Sequence, residues 1–169
     1  MMSKHNRTRQ CRRPLGAAAN QWLTHVDEHV LVFNDLHIAL AVSRAGKQPS
    51  IERLRRSLDH YVREGWGDNR NITADVGRRL IDGVLAFAEG AYARAVDLIL
   101  PVRYNAARIG GSHAQRDLIT QTLIAAAERA GQHNLTRALL AERLAVRPTD
   151  RTRRHYVKAG GTAVAHTLG

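Results

Sequence analysis

Ile109-Gly110-Gly111-Ser112-His113-Ala114-Gln115-Arg116-Asp117 decides how this chain folds, because it reads as the end of one helix and the start of the next. Two adjacent glycines can supply the left-handed backbone that closes a helix, and Ser112 followed three residues later by Gln115 has the form of a capping box. A turn this short sets two helices side by side. The turn itself does not need His113, Arg116 and Asp117, which cluster at a helix start whose free N–H groups attract anions.

Glycines at 46, 65, 67, 90 and 131 also punctuate the chain, and the segments between them have helical periodicity. From Asn71 to Glu89 the apolar residues Val76, Leu80, Val84 and Phe87 recur at helical spacing and line one face. A helix over 91–108 follows, in which Pro101 lacks an N–H and bends or interrupts the ladder. The spacing predicts two more helices over 113–130 and 134–146. Upstream, helices are expected over 17–28, 34–45 and 50–64, with Asn34 and Ser50 as caps. The fold class is therefore all-α, with about seven helices and no strand.

Short turns between helices build either a closed bundle or an open stack, and internal repetition separates the two. Gly83, Gly90, Tyr92 and Ala95 fall at the spacing of the small, Gly, Tyr and Ala positions of a tetratricopeptide repeat. A degenerate second copy runs from Ala125 to Pro148, retaining Gly131, Ala138 and Ala145. The expectation is antiparallel helix pairs stacked as a short tetratricopeptide-like solenoid over 17–148. A basic, disordered leader (1–16) would precede it, and a basic, largely disordered tail (149–169) would follow.

Several stretches carry a resemblance to a known family: Phe33-Asn34-Asp35-Leu36-His37-Ile38-Ala39, Val76-Gly77, Leu85-Ala86-Phe87-Ala88-Glu89-Gly90-Ala91-Tyr92, Leu100-Pro101-Val102-Arg103, 109–118, Glu142-Arg143-Leu144 and Arg147-Pro148. Together they resemble the tetratricopeptide repeat protein 38 family and its bacterial relatives, from about Trp22 to Arg154. The resemblance implies an α-helical solenoid in the cytoplasm, corresponding to the C-terminal portion of longer proteins. It implies no particular reaction.

The net charge of +11 invites a nucleic-acid reading, so its location matters. The leader holds Lys4, Arg7, Arg9, Arg12 and Arg13 without an acid, and residues after 150 hold Arg151, Arg153, Arg154 and Lys158 without one. The remainder carries only +2. Weak, salt-sensitive nucleic-acid binding through the tails is thus a subordinate reading. An acid-poor, Arg-rich leader also has the composition of a transit peptide. The lone Cys11 can neither form an intrachain disulfide nor complete a cysteine metal site, which points to a reducing, cytoplasmic setting. No apolar run is long enough to span a bilayer, and no motif calls for a cofactor.

An open helical stack offers a concave surface, and its usual work is to hold a peptide or protein. The leading expectation is a non-catalytic interaction module for an acidic partner, with Arg103, His113, Gln115 and Arg116 as the anion-binding residues. The alternative is a small-molecule or metal-dependent enzyme using His37, His113 and Asp117, in which Asp117 orients the His113 imidazole. His25 and His29, four residues apart, would chelate a metal only on one continuous helix, and nothing completes that motif. Ser112 beside His113 is better read as a cap than as a nucleophile. Asp75, Arg78, Arg79 and Asp82 read as a solvated face.

A stack of few repeats leaves one end uncovered unless the segment 17–28 folds back as a cap. The apolar stretch from Leu15 to Val26 is expected to pair with a second copy as a symmetric dimer. Sedimentation at micromolar concentration should then report twice 18.8 kDa, and a clean monomer would remove the expectation.

Overall fold

The computed structural model describes residues 22–162, and all regular structure among them is helical. In chain order the elements are α1 (Val32–Arg44), α2 (Gln48–Glu64), α3 (Gly67–Ile72), a π turn (Thr73–Gly77) and α4 (Arg78–Ala88). After these come α5 (Tyr92–Ile99), a 3₁₀ segment (Leu100–Ile109), α6 (His113–Arg129), α7 (His133–Val146) and α8 (Asp150–Lys158). The leader lies outside the described residues, as do residues 17–21 of the first expected helix.

The decisive turn forms as the sequence predicts. Ser112 Oγ accepts from the Gln115 backbone N–H at 3.3 Å, and Gln115 Oε1 accepts from the Ser112 N–H at 2.9 Å. Gly111 sits at φ 76°, and a Cβ there would also come within 2.5 Å of the Phe33 ring, so space and backbone both require glycine.

Other boundaries depart from expectation. Residues 24–28 form turns rather than a helix, and His29 takes a left-handed φ of 46°. Neither Asn34 nor Ser50 is a cap. Helix α1 begins earlier, at Val32, whose N–H is satisfied from α3 by Asn69 Oδ1 at 3.2 Å, so a distant side chain replaces the local cap. Helix α2 begins before Ser50 because Pro49 in its first turn presets the helical φ. The helix begun at Tyr92 gives way to 3₁₀ geometry around Pro101. Residues 150–158, expected to be largely disordered, form α8. Thr149 caps it by accepting from the Thr152 N–H at 3.2 Å, and α8 packs on α7.

Helix α4 is central: it packs on α1, α5 and α6, while α5, α6, α7 and α8 each contact the next in turn. Its Leu80, Ile81, Val84 and Leu85 are buried, each side chain contributing about 1.5–3 kcal/mol relative to exposure. Arg78 and Asp82, read as solvated, tie α4 to α2. Arg78 pairs with Asp59 and Asp82 at 2.8 Å each, and Arg55 reaches Asp82 at 3.3 Å.

Two helix crossings require glycine. A Cβ on Gly77 would approach Val32 Cγ1 within 2.5 Å, and one on Gly83 would overlap Ile99 Cγ1 while meeting Ile99 Cδ1 at 3.0 Å. Gly83→Val, which also lacks the helix-propensity gain of alanine, is expected to cost about 1–3 kcal/mol by overpacking. A lowered urea midpoint at unchanged slope is the readout, and an unchanged midpoint would contradict the crossing.

Candidate functional site

Two clefts hold the chemistry. The first lies between the 3₁₀ segment, α6 and α7, a groove of about 300 Å³ that includes Arg103, Tyr104, His113, Arg116, Asp117 and Arg143. It gathers three of the four residues expected to bind an anion. The fourth, Gln115, is spent on the capping box.

Within the groove, Arg103 stacks on the Tyr104 ring at 3.9 Å and donates to the Leu100 carbonyl at 3.0 Å and the Tyr104 hydroxyl at 2.6 Å. Its guanidinium lies 3.6 Å from Glu142. Arg116 donates to the carbonyls of Gly110 and Gly111 and lies 3.3 Å from His113 Nδ1. It makes no ion pair among the described residues. The groove mouth is apolar at Val146, 84% exposed, and aromatic at Tyr104, 69% exposed.

The expected pairing of His113 with Asp117 does not form. Asp117 turns instead to α7, where the Arg143 guanidinium grips it with both nitrogens, one at 2.9 Å, and Gln121 donates at 2.8 Å. Arg147 stands 3.7 Å away. Hydrogen bonds from Arg143 hold the Asp117 carboxyl below its usual value of 3.8, aided by Gln121 and by the charges of Arg143 and Arg147, against the opposing effect of burial. Nor does His37 join the groove. Its Nδ1 donates to the Phe33 carbonyl at 2.8 Å, and its ring packs between Phe33 and Trp22. The structure therefore does not assemble His37, His113 and Asp117 into one site.

The second cleft, about 830 Å³ and open, lies over α2 and the 27–30 loop, with Asp27, His29, Arg56, Ser57, His60 and Trp66 along it. Sequence reasoning missed what it contains. His29 Nδ1 stands 3.1 Å from Asp35 Oδ1, and His29 Nε2 stands 2.8 Å from Ser57 Oγ. Both His29 and Asp35 are buried, with side chains 4% and 1% exposed. An ionised Asp35 can only accept, so the tautomer that satisfies the cluster carries its proton on Nδ1 and leaves Nε2 to accept from the Ser57 hydroxyl.

Three elements hold His29 in place. Tyr61 of α2 stacks on its ring at 4.8 Å, Asn69 of α3 donates to its carbonyl at 2.6 Å, and Asp35 of α1 receives its Nδ1–H. Its left-handed φ costs a β-carbon-bearing residue about 1–2 kcal/mol. Burial pushes the Asp35 carboxyl up, and the hydrogen bond from His29 pulls it back. Its second oxygen, Oδ2, is buried with no hydrogen-bond partner. The single Ser57 hydroxyl proton can turn either to His29 Nε2 or to Asp27, whose carboxyl Ser57 and Arg53 hold below the usual range.

His25 pairs with Glu28 at 2.7 Å, while both nitrogens of His29 are engaged, so the two histidines do not converge as chelators. No cluster of three or more metal-ligating side chains occurs among the described residues, and no helix among them is long and apolar enough to cross a membrane. No family model matches the chain, and no solved structure matches it.

The Asp117–Arg143 pair has a definite pH signature. Asp117's folded pKa lies below its unfolded one, so its contribution is full above 3.8 and is lost as pH falls through the folded value. Asp117→Asn is expected to cost about 2 kcal/mol at pH 7. Denaturant titrations of both proteins should show that difference shrinking as the pH drops below 3.8; a difference independent of pH would refute the ionic origin.

Proposed function

We propose that this chain is an interaction module, a tetratricopeptide-like helical stack whose groove between the 3₁₀ segment, α6 and α7 takes an acidic peptide without catalysis at that groove. The carrying observation is Arg116, a guanidinium in that groove with carbonyl and imidazole neighbours but no carboxylate among the described residues. The surroundings suit a peptide. Four guanidinium groups face the groove against two carboxylates, and Tyr104 and Val146 offer exposed apolar surface beside them. A peptide carboxylate would take Arg116 in two-pronged fashion and compete with Glu142 for Arg103. The successive packing of α4 through α8 supports the solenoid reading, as does the small-residue crossing at Gly83, the position matched to the repeat. The resemblance to the tetratricopeptide repeat protein 38 family supports the same architecture and a cytoplasmic place of work.

The test is fluorescence anisotropy with a labelled Glu-rich peptide. Arg103→Ala combined with Arg116→Ala is expected to weaken binding about tenfold or more while circular dichroism stays unchanged. Binding by the parent chain should fall as salt rises, since an open groove is screened. Equal affinity of the folded double variant would end the reading.

A further inference from the structure

The second cleft does something the interaction reading does not require, and it stands on different helices. A carboxylate buried behind the cleft, an imidazole and a hydroxyl are linked in succession: Asp35 to His29 at 3.1 Å and His29 to Ser57 at 2.8 Å. This is the order of contacts by which a serine is made nucleophilic, with the base turned to the hydroxyl and oriented from behind by an acid. Such an arrangement is recognised by geometry and role, not by chain order or fold.

Stability does not explain the cluster. His29 is left-handed, and Asp35 gives up its hydration for one partner, with Oδ2 left unbonded. A well-packed apolar pair would serve the core at less cost. The left-handed backbone belongs to the residue whose ring links the acid to the hydroxyl; Tyr61 and Asp35 hold that ring, and Asn69 holds the His29 carbonyl. Ser57, in contrast, is only partly buried and lines the open cleft, where a substrate can reach it.

We infer that Ser57, His29 and Asp35 form a nucleophilic acyl-transfer site that hydrolyses small carboxylic esters. His29 Nε2 takes the Ser57 hydroxyl proton as Oγ bonds to the ester carbonyl carbon. The carbon–oxygen bond to the alcohol then breaks, and His29 returns the proton to the departing alkoxide. Water attacks the acyl-serine by the same route, so one ester and one water give one acid and one alcohol. Asp35 is the positioning residue, fixing the Nδ1–H tautomer and balancing the imidazolium. Arg56 lines the same cleft. Attack begins from the Ser57 rotamer that donates to His29 and not to Asp27.

The full chain is treated with 4-nitrophenyl acetate and, separately, with a fluorophosphonate, followed by intact and peptide mass spectrometry. The expected result is a stoichiometric burst of 4-nitrophenol and a single adduct on Ser57. Both are lost in Ser57→Ala. In His29→Asn, whose asparagine tolerates the left-handed backbone, both are slowed about a hundredfold. Asp35→Asn is expected to lower kcat about a hundredfold with KM unchanged, a split that a merely structural role would not produce. Circular dichroism confirms that each variant is folded. An absent adduct on the folded parent chain, an adduct elsewhere, or labelling of His29→Asn at the parent rate overturns the inference.

Discussion

Helix α4 and the π turn leading into it can lie as close to their neighbours as they do only because two of their contacts have no side chain. Gly77 admits the Val32 side chain of α1, and Gly83 admits Ile99 of α5. The two glycines are six positions apart, spanning the π turn and α4, so one stretch of backbone is pressed from both directions. Everything buried by α4, including Leu80, Ile81 and Leu85, depends on that approach, because apolar side chains stabilise only when neighbours reach them. The adjacent polar network serves the same contact. Arg78 and Arg55 bind Asp82, Asp59 and Glu89, fastening α2 to the side of α4.

This central packing sets two polar regions apart in character. At Asp117 every carboxylate oxygen has a partner, and the pair with Arg143 is a satisfied link between α6 and α7. At Asp35 one oxygen has none, and the histidine beside it is bent into an unfavourable backbone region. A satisfied ion pair is what joining two helices requires. A histidine with left-handed backbone, set between an under-bonded acid and a partly exposed hydroxyl, carries the kind of cost that gathers at working sites.

The turn at 109–117 was legible because all its determinants are local: glycines for the left-handed backbone, then Ser112 and Gln115 within one turn of helix. Helix faces were legible for the same reason. The start of α1 was not, because its N–H partner, Asn69, comes from 37 residues away. The His29 cluster was hidden twice over, by a left-handed backbone that histidine adopts only occasionally and by Ser57 standing 28 residues downstream. His113 and Asp117 have the right spacing to meet on a helix, yet Arg143, 26 residues on, is the stronger partner for the carboxylate. Helix α8 went unread because its residues are mostly charged, and its anchoring to α7 is tertiary.

The segment from Leu100 to Ile109 bears on how distant helices of the fold meet. A 3₁₀ coil rises about 2 Å per residue where an α-helix rises about 1.5 Å, so its ten residues reach roughly 5 Å farther than an α-helix of the same length. The segment is drawn out accordingly, and the turn at Gly110 and Gly111 that follows it lies against Phe33 of α1. The 3₁₀ segment that Pro101 opens thus acts as a spacer between α5 and the turn that touches α1.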